Sequence, residues 1–312
     1  MALISLTGVQ VVFPSRTGRI RAVDTIDLSL DRGDRLALIG ESGCGKTVLG
    51  MAVMGLLPEN AEIRGVIHYK ALNILTESER GMQQLRGWEM AMIAQNSANA
   101  LNPVMKIGDQ VAEPLQVHGI LPRQAALEEA TRLLGQMGFD DPGRAKDCYP
   151  HEFSGGMRER ILIAIALICK PGLVIADEPT AGLDAQVKLQ VLELIKGQMT
   201  DTKTLLLITH DLGAAAFLCT RIAVMYAGEI VETGSVHDVL SLPMHPYTQG
   251  LIASHPSAGL HPIPGMSPPP DQLPAGCRFS PRCPAATDAC RSTHPVLKNP
   301  SGSRQVRCLH YA

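Results

Sequence analysis

Eight residues, Gly40-Glu41-Ser42-Gly43-Cys44-Gly45-Lys46-Thr47, follow the short apolar run Arg35–Ile39 and open a stretch with helical spacing. A glycine-rich turn ending in lysine and a hydroxyl, set between strand and helix, is built to hold phosphate. The glycines let backbone N–H groups close on phosphate oxygens, and the helix N-terminus adds positive partial charge. Lys46 is placed to reach the β- and γ-phosphates of a nucleoside triphosphate, and the Thr47 hydroxyl to ligate Mg²⁺. Cys44 fills a position that any small residue could fill. Alternatively the helix end lowers its thiol pKa, and its oxidation would block the loop.

Further chemistry sits at the ends of other apolar runs. Leu173-Val-Ile-Ala-Asp177-Glu178 ends in two carboxylates. The first suits Mg²⁺, held directly or through water, and the second suits orienting or deprotonating an attacking water. Alone, Asp177-Glu178-Pro179 reads equally well as a solvated turn; the phosphate loop upstream turns the reading toward catalysis. His210 ends Leu205–Thr209, and a residue at a strand's carboxyl end faces the ligand crevice of an α/β sheet. That place suits sensing a γ-phosphate. Gln95 follows Met90–Ala94, where a neutral amide could coordinate Mg²⁺ and the attacking water without adding charge. Four of the eight cysteines, Cys277, Cys283, Cys290 and Cys308, crowd the end of the chain. They lack the C-x2-C pairs of common zinc ribbons. Four thiolates would equally hold a [4Fe–4S] cluster, and zinc or no metal stay open on spacing alone.

The elements that must position these residues are visible in outline. Ile4–Phe13 and Ala22–Leu30 are apolar, β-branched runs joined by turn chemistry at Pro14–Gly18, which predicts paired strands. A helix is expected from Lys46 to about Leu57, stopped by Pro58. Arg123–Met137 carries an apolar helical face. Leu173–Asp177, Leu205–His210 and Ile222–Tyr226 read as buried strands separated by helices near Ala185–Met199 and Leu212–Leu218. That alternation predicts an α/β fold with a parallel or mixed sheet. After Leu251 prolines accumulate, and a linker followed by a cysteine-stapled tail is expected.

Composition narrows the class. The 312 residues are 45% hydrophobic and 19% charged, with net charge −2. Global disorder is excluded, and a strongly nucleic-acid-binding surface is disfavoured. No run approaches the ~20 apolar residues of a membrane-spanning helix. The N-terminus lacks a secretory signal. A cytosolic protein able to dock on a membrane protein is the expectation.

Phe153-Ser154-Gly155-Gly156-Met157, just upstream of the acidic strand, resembles the Leu-Ser-Gly-Gly-Gln signature of ABC-type ATPases. The resemblance spans about residues 1–250. It implies an ABC-type P-loop nucleotide-binding domain with a mixed sheet core, an antiparallel β subdomain and a helical subdomain at about 97–165. It also implies that Ser154, Gly155 and Gly156 touch the γ-phosphate held by an opposite protomer, that Asp184 belongs to the D-loop, that Phe13 stacks on adenine and that Gln95 relays to a membrane subunit. Ala91–Pro103, Ile175–Thr180, Val224–Gly228 and His245–Thr248 look like segments of the oligopeptide/dipeptide/nickel importer ATPases. The tail, 251–312, resembles their Pro/Cys-rich C-terminal extension. Departures are Ala94 and Ser97 in the Q-loop, Glu159 after the signature and Gly182 in the D-loop.

From this likeness follow ATP and Mg²⁺ as ligands and a [4Fe–4S] cluster in preference to zinc. The implied partners are a second, related ATPase in a heterodimer, two transmembrane permeases and an extracytoplasmic substrate-binding protein. The implied activity is ATP hydrolysis driving import of short peptides, with nickel or metallophores, opines and glutathione as alternative cargo. A soluble ABC ATPase acting on nucleic acid or ribosomes would need a second cassette or long coiled coils, and the chain has neither.

Overall fold

A computed structural model describes residues 2–15, 18–95, 100–256, 259–302 and 304–311. Along the chain the strands β1 (Ile4–Ser15), β2 (Gly18–Leu30) and β3 (Arg35–Ile39) precede helix α1 (Lys46–Val53). Next come β4 (Glu62–Tyr69), β5 (Leu72–Asn73), α2 (Glu79–Leu85) and β6 (Met90–Ile93). Helices α3 (Ile107–Val117), α4 (Arg123–Gln136), α5 (Pro142–Ala145) and α6 (Gly155–Leu167) lead to β7 (Leu173–Asp177) and α7 (Ala185–Gln198). Then follow β8 (Thr204–Thr209), α8 (Leu212–Leu218), β9 (Arg221–Tyr226), β10 (Glu229–Ser235), α9 (Val236–Ser241) and α10 (Pro246–Ala253). The tail contributes α11 (Asp288–Ser292), β11 (Lys298–Ser301) and β12 (Arg304–Val306). No helix among the described residues is long and apolar enough to cross a membrane.

The chain forms two compact units, Met1–Thr76 with Leu207–Ala312, and Glu77–Leu206. In the first, β1 and β2 form the expected antiparallel pair, from Ile4↔Leu30 to Ser15↔Gly18. On its other side β1 pairs with β4, Ile4 opposite Tyr69. Alternation, reset by an irregularity in β1 between Leu6 and Val9, drives Ile4, Leu6, Val9, Val11, Ile26 and Leu30 to one buried face. In the second sheet of this unit β11, β12, β10, β9, β3 and β8 follow in that order. The sheet is mixed: β3 and β9 run parallel, whereas β10 runs antiparallel to both β9 and β12. The continuous apolar runs of β3 and β9 are buried throughout except at their first residues, Arg35 and Arg221.

Three features depart from the sequence expectation. Helix α1 stops at Val53, four residues before Leu57. Leu56 N–H reaches Met51 O (2.9 Å) and Gly55 N–H reaches Ala52 O (3.1 Å), a Schellman closure that satisfies the last carbonyls before Pro58 is reached. Strands β4 and β10 were not legible, because polar residues interrupt both. In β10 those residues are buried and paired: Glu232 accepts N–H bonds from Met244 and His245, and the Thr233 hydroxyl donates to Ile222 O. The tail is also more ordered than its composition suggests. Strand β12 lies beside β10, pairing Val306 with Glu232 and Gln305 with Thr233.

His245 is the cap of α10. Its Nδ1 accepts the Tyr247 N–H (3.0 Å). Burial pushes its pKa down to about 3, so the ring is neutral while folded. The unfolded chain takes up a proton near pH 6.5 that the folded chain refuses. The His245 contribution to stability is therefore flat above pH 6.5 and falls as pH drops from 6.5 toward 3, by about 1.4 kcal/mol per pH unit in that window. Urea denaturation between pH 4 and 7 should show a slope about one proton shallower in His245→Asn, whose amide oxygen can still accept the capping bond. An unchanged slope would locate the acid sensitivity elsewhere.

In the second unit β6 and β7 are parallel partners, Met90 opposite Leu173. The face expected on Arg123–Met137 is present: Ala126, Ala130, Leu133, Leu134 and Met137 are buried. Buried Gln110 ties down the segment before α3, accepting the Asn102 N–H and donating to Asn102 O and Met105 O.

Candidate functional site

The phosphate loop lies in the first unit, between β3 and α1. Its glycines are required by close approach. A Cβ on Gly40 would stand 2.2 Å from Met225 O, and one on Gly45 2.1 Å from Ala22 O. Gly45 also has φ +107°, the left-handed conformation that begins α1. Lys46 is buried and folds back on the loop, its Nζ donating to Gly40 O (2.8 Å) and Glu41 O (2.9 Å). Ser42, Gly43 and Thr47 are exposed. The open hydroxyl of Thr47 on the first turn of α1 is chemically suited to Mg²⁺.

Cys44 fits the reading of a small residue filling the loop and not the alternative of an activated thiol. The side chain is buried, and burial raises its pKa above the ordinary value, with Lys46 only partly offsetting it. A thiol kept protonated is a poor nucleophile. The helix end does not compensate because Cys44 turns inward, its carbonyl accepting the Gly228 N–H (3.0 Å).

Glu41 gains partners the sequence did not announce. Arg282 grips its carboxylate with two nitrogens, at 2.9 and 3.0 Å, and Ser267 donates a third bond. Burial alone would raise this carboxyl, but the bonds from Arg282 and Ser267 outweigh it and hold it below the usual range. The Glu41 N–H donates to the Tyr247 hydroxyl (2.8 Å). Tyr247, Tyr226 and Phe279 form an aromatic nest with ring centres 4.5–5.5 Å apart. Arg282 and Glu41 are 241 positions apart. Only the Arg278/Arg282 spacing in a proline-rich tail hints at such a role.

Elsewhere in this unit His210 is exposed between β8 and α8, and Phe13 is half-buried on β1 opposite Ile20. The four tail cysteines converge. The Cys277 N–H donates to Cys290 O (2.8 Å). Burial, with the charges of Cys308, Cys283 and Cys290 adding to it, raises the Cys277 thiol to about 11. Cys283 and Cys308 are raised by burial and by neighbouring cysteines as well. Mutual repulsion among thiolates is what a bound cation relieves, so the donor set suits a thiophilic metal. Even so, among the described residues no three His, Cys, Asp or Glu side chains stand at metal-binding geometry.

The second unit carries the remaining candidates. Asp177 is buried at the end of β7, and Glu178 follows it half-buried with φ +48°, a conformation costly for a residue with a Cβ. Such strain turns the Glu178 side chain out of the strand's alternation. Ser154 is the N-cap of α6, its hydroxyl accepting the Met157 N–H (3.4 Å). Gly155 is exposed, and Gly156 must be glycine because a Cβ there would meet Val187 Cγ1 at 2.5 Å. Signature and D-loop thereby meet: Val187 lies in the first turn of α7, whose N-cap is Asp184, accepting from Gln186 and Val187 N–H. Gln95 is exposed just after β6. Ser97 of the Q-loop lies outside the described residues, as does the start of the helical segment expected at 97.

Comparison with known proteins identifies the family. Residues 23–181 match the family model "ABC transporter", and residues 231–290 match "Oligopeptide/dipeptide transporter, C-terminal region". The oligopeptide transport ATP-binding protein AppD of Bacillus subtilis is 40% identical, covering 99% of this chain and 97% of its own. The dipeptide transport ATP-binding protein DppD of Escherichia coli is 39% identical over 100% of this chain and 97% of its own. In fold, the dimeric ATP-binding cassette MJ0796 in a post-hydrolysis state bound to ADP and Pi superposes with TM-score 0.67 at 24% identity, over 75% of this chain and 98% of that one.

Proposed function

The chain belongs to the ABC transporter ATP-binding family, and from that membership we propose that it is the ATP-hydrolysing, energy-coupling subunit of an importer of short peptides. One observation carries the reading: matches to the ABC transporter family and to the oligopeptide/dipeptide transporter C-terminal region occur on one chain. Relatives at about the same length are named for dipeptide and oligopeptide transport. Residues 1–250 form the ATPase domain and 251–312 the extension.

In this reading loop 40–47 wraps the triphosphate and Lys46 leaves its loop carbonyls for the β- and γ-phosphates. Thr47, Gln95 and Asp177 are the residues that would hold Mg²⁺, which would supply neutralisation of charge developing on the phosphate oxygens. Glu178 accepts the proton of the attacking water, and His210 contacts the γ-phosphate. Phe13 stacks on the adenine. The signature Ser154-Gly155-Gly156-Met157 serves the nucleotide of the opposite subunit, with Ser154 and the α6 N-terminus offering donors to its γ-phosphate. Asp184 links the two sites. Two cassettes closing on ATP and reopening after hydrolysis drive the permeases. The partners are a related second ATPase, two permeases and a substrate-binding protein, with the subunit peripheral on the cytoplasmic face of the plasma membrane. Cys277, Cys283, Cys290 and Cys308 would hold a [4Fe–4S] cluster that staples the extension, zinc being the alternative.

The test is to tag the chain in its own cell, solubilise membranes gently under anaerobic conditions and identify what co-purifies. Two permeases and a second ATPase are the expected result, with iron and acid-labile sulfide at about four atoms of each per chain. Ribosomes or a soluble partner with no permease would overturn the transport reading. Stoichiometric zinc without sulfide would overturn the cluster while leaving transport intact.

A further inference from the structure

A carboxylate inside a phosphate-binding loop is a problem that the fold has to solve. Glu41 is the first residue after Gly40, and its charge lies close enough to Lys46 to be felt by it. A free Glu41 carboxylate would repel the triphosphate and offer the Lys46 ammonium a competing anion. The tail supplies the alternative partner. Arg282 takes both carboxylate oxygens in a planar fork and is itself fixed by donating to Pro264 O (3.0 Å). Its guanidinium lies 5.8 and 5.9 Å from the Tyr226 and Phe279 ring centres. The Arg282 side chain is buried, so it is held in register with the loop. Tyr247 adds a second hold, accepting the Glu41 N–H.

We propose that Arg282 is a positioning residue for the nucleotide site: it holds the Glu41 carboxylate away from the phosphates and leaves Lys46 available to them. The C-terminal extension is thereby a structural part of the ATP site. This rests on the reading that loop 40–47 binds ATP.

The experiment measures affinity of the full-length chain for a fluorescent ATP analogue, alongside nucleotide-free thermal melting. Arg282→Met should weaken binding by about tenfold, the scale of a lost charged hydrogen-bond pair. Adding Glu41→Gln to Arg282→Met should restore affinity most of the way toward wild type, because the offending charge is gone. A merely structural role for Arg282 would show no such rescue. Arg282→Lys, which keeps the charge but loses the fork, should fall between Arg282→Met and wild type and be improved by the same second change. It carries the test if Arg282→Met melts before measurement. Wild-type affinity in Arg282→Met, or a double variant as weak as the single one, overturns the proposal. A wild-type chain that binds no nucleotide overturns the ATP reading itself, and this inference with it.

Discussion

Glu178→Gln should lower steady-state ATP hydrolysis by about 10²–10⁴-fold, the usual worth of a positioned general base, while leaving ATP binding in place. The change removes a proton acceptor and little else. Gln has nearly the same shape, and the left-handed backbone at position 178 is as costly for one as for the other. That conformation matters to the argument. Asp177 finishes β7 fully buried, and an ordinary extended residue after it would point to the opposite face of the sheet. The turn at Glu178 breaks the alternation, and the Ala181 N–H closes it by donating to Glu178 O (3.0 Å). Phosphate release and nucleotide titration on the same preparation separate the two effects. Normal hydrolysis in the variant would take the base role away from Glu178. Loss of binding together with turnover would make the residue a ligand of the nucleotide instead.

The cassette was legible because its chemistry is local. Gly40–Thr47, Asp177-Glu178 and Ser154–Met157 are each contiguous, and each sits at a strand or helix end that hydropathy alone can locate. Strands β3, β7, β8 and β9 are unbroken apolar runs, the form that burial on both faces demands. Harder to read were elements whose polar residues are buried in pairs. Strand β10, Glu-Ile-Val-Glu-Thr-Gly-Ser, looks like a surface segment until Arg304 is seen on Glu232 and Arg278 on Glu229. These partners lie 49–72 residues away, and no periodicity encodes such a distance. The alternative of an activated Cys44 fails for a related reason: a helix N-terminus lowers a thiol pKa only when the thiol faces solvent or charge, and the loop turns this one inward.

The same long-range pairing makes Arg278 a side chain whose loss should cost much stability. Arg278 is buried between two buried carboxylates, ion-paired with Asp24 from β2 and lying 3.4 Å from Glu229 of β10. Its Nη1 also reaches Ala227 O. One guanidinium therefore ties the tail to a hairpin strand and to the mixed sheet. Arg278→Met should destabilise the chain by about 3–5 kcal/mol at neutral pH, because removing one partner leaves buried charge uncompensated. Arg21 stays near Asp24 (3.0 Å), and His294 stays near Glu229 (2.8 Å), which keeps the loss toward the lower end. The pH dependence gives an internal check. Burial would raise the Asp24 carboxyl, but hydrogen bonds from Arg21 and Arg278 hold it below its ordinary 3.8. Its contribution is thus present above pH 3.8 and lost as pH falls through the lower folded value. Denaturant midpoints should separate wild type and variant about as widely at pH 5 as at pH 7, and progressively less as pH falls below 3.8. Adding Asp24→Asn to Arg278→Met should return part of the lost stability, since it removes one of the two stranded charges. If the single variant unfolds at the wild-type midpoint at pH 7, the tail is held by its aromatic nest and β12 rather than by these ion pairs.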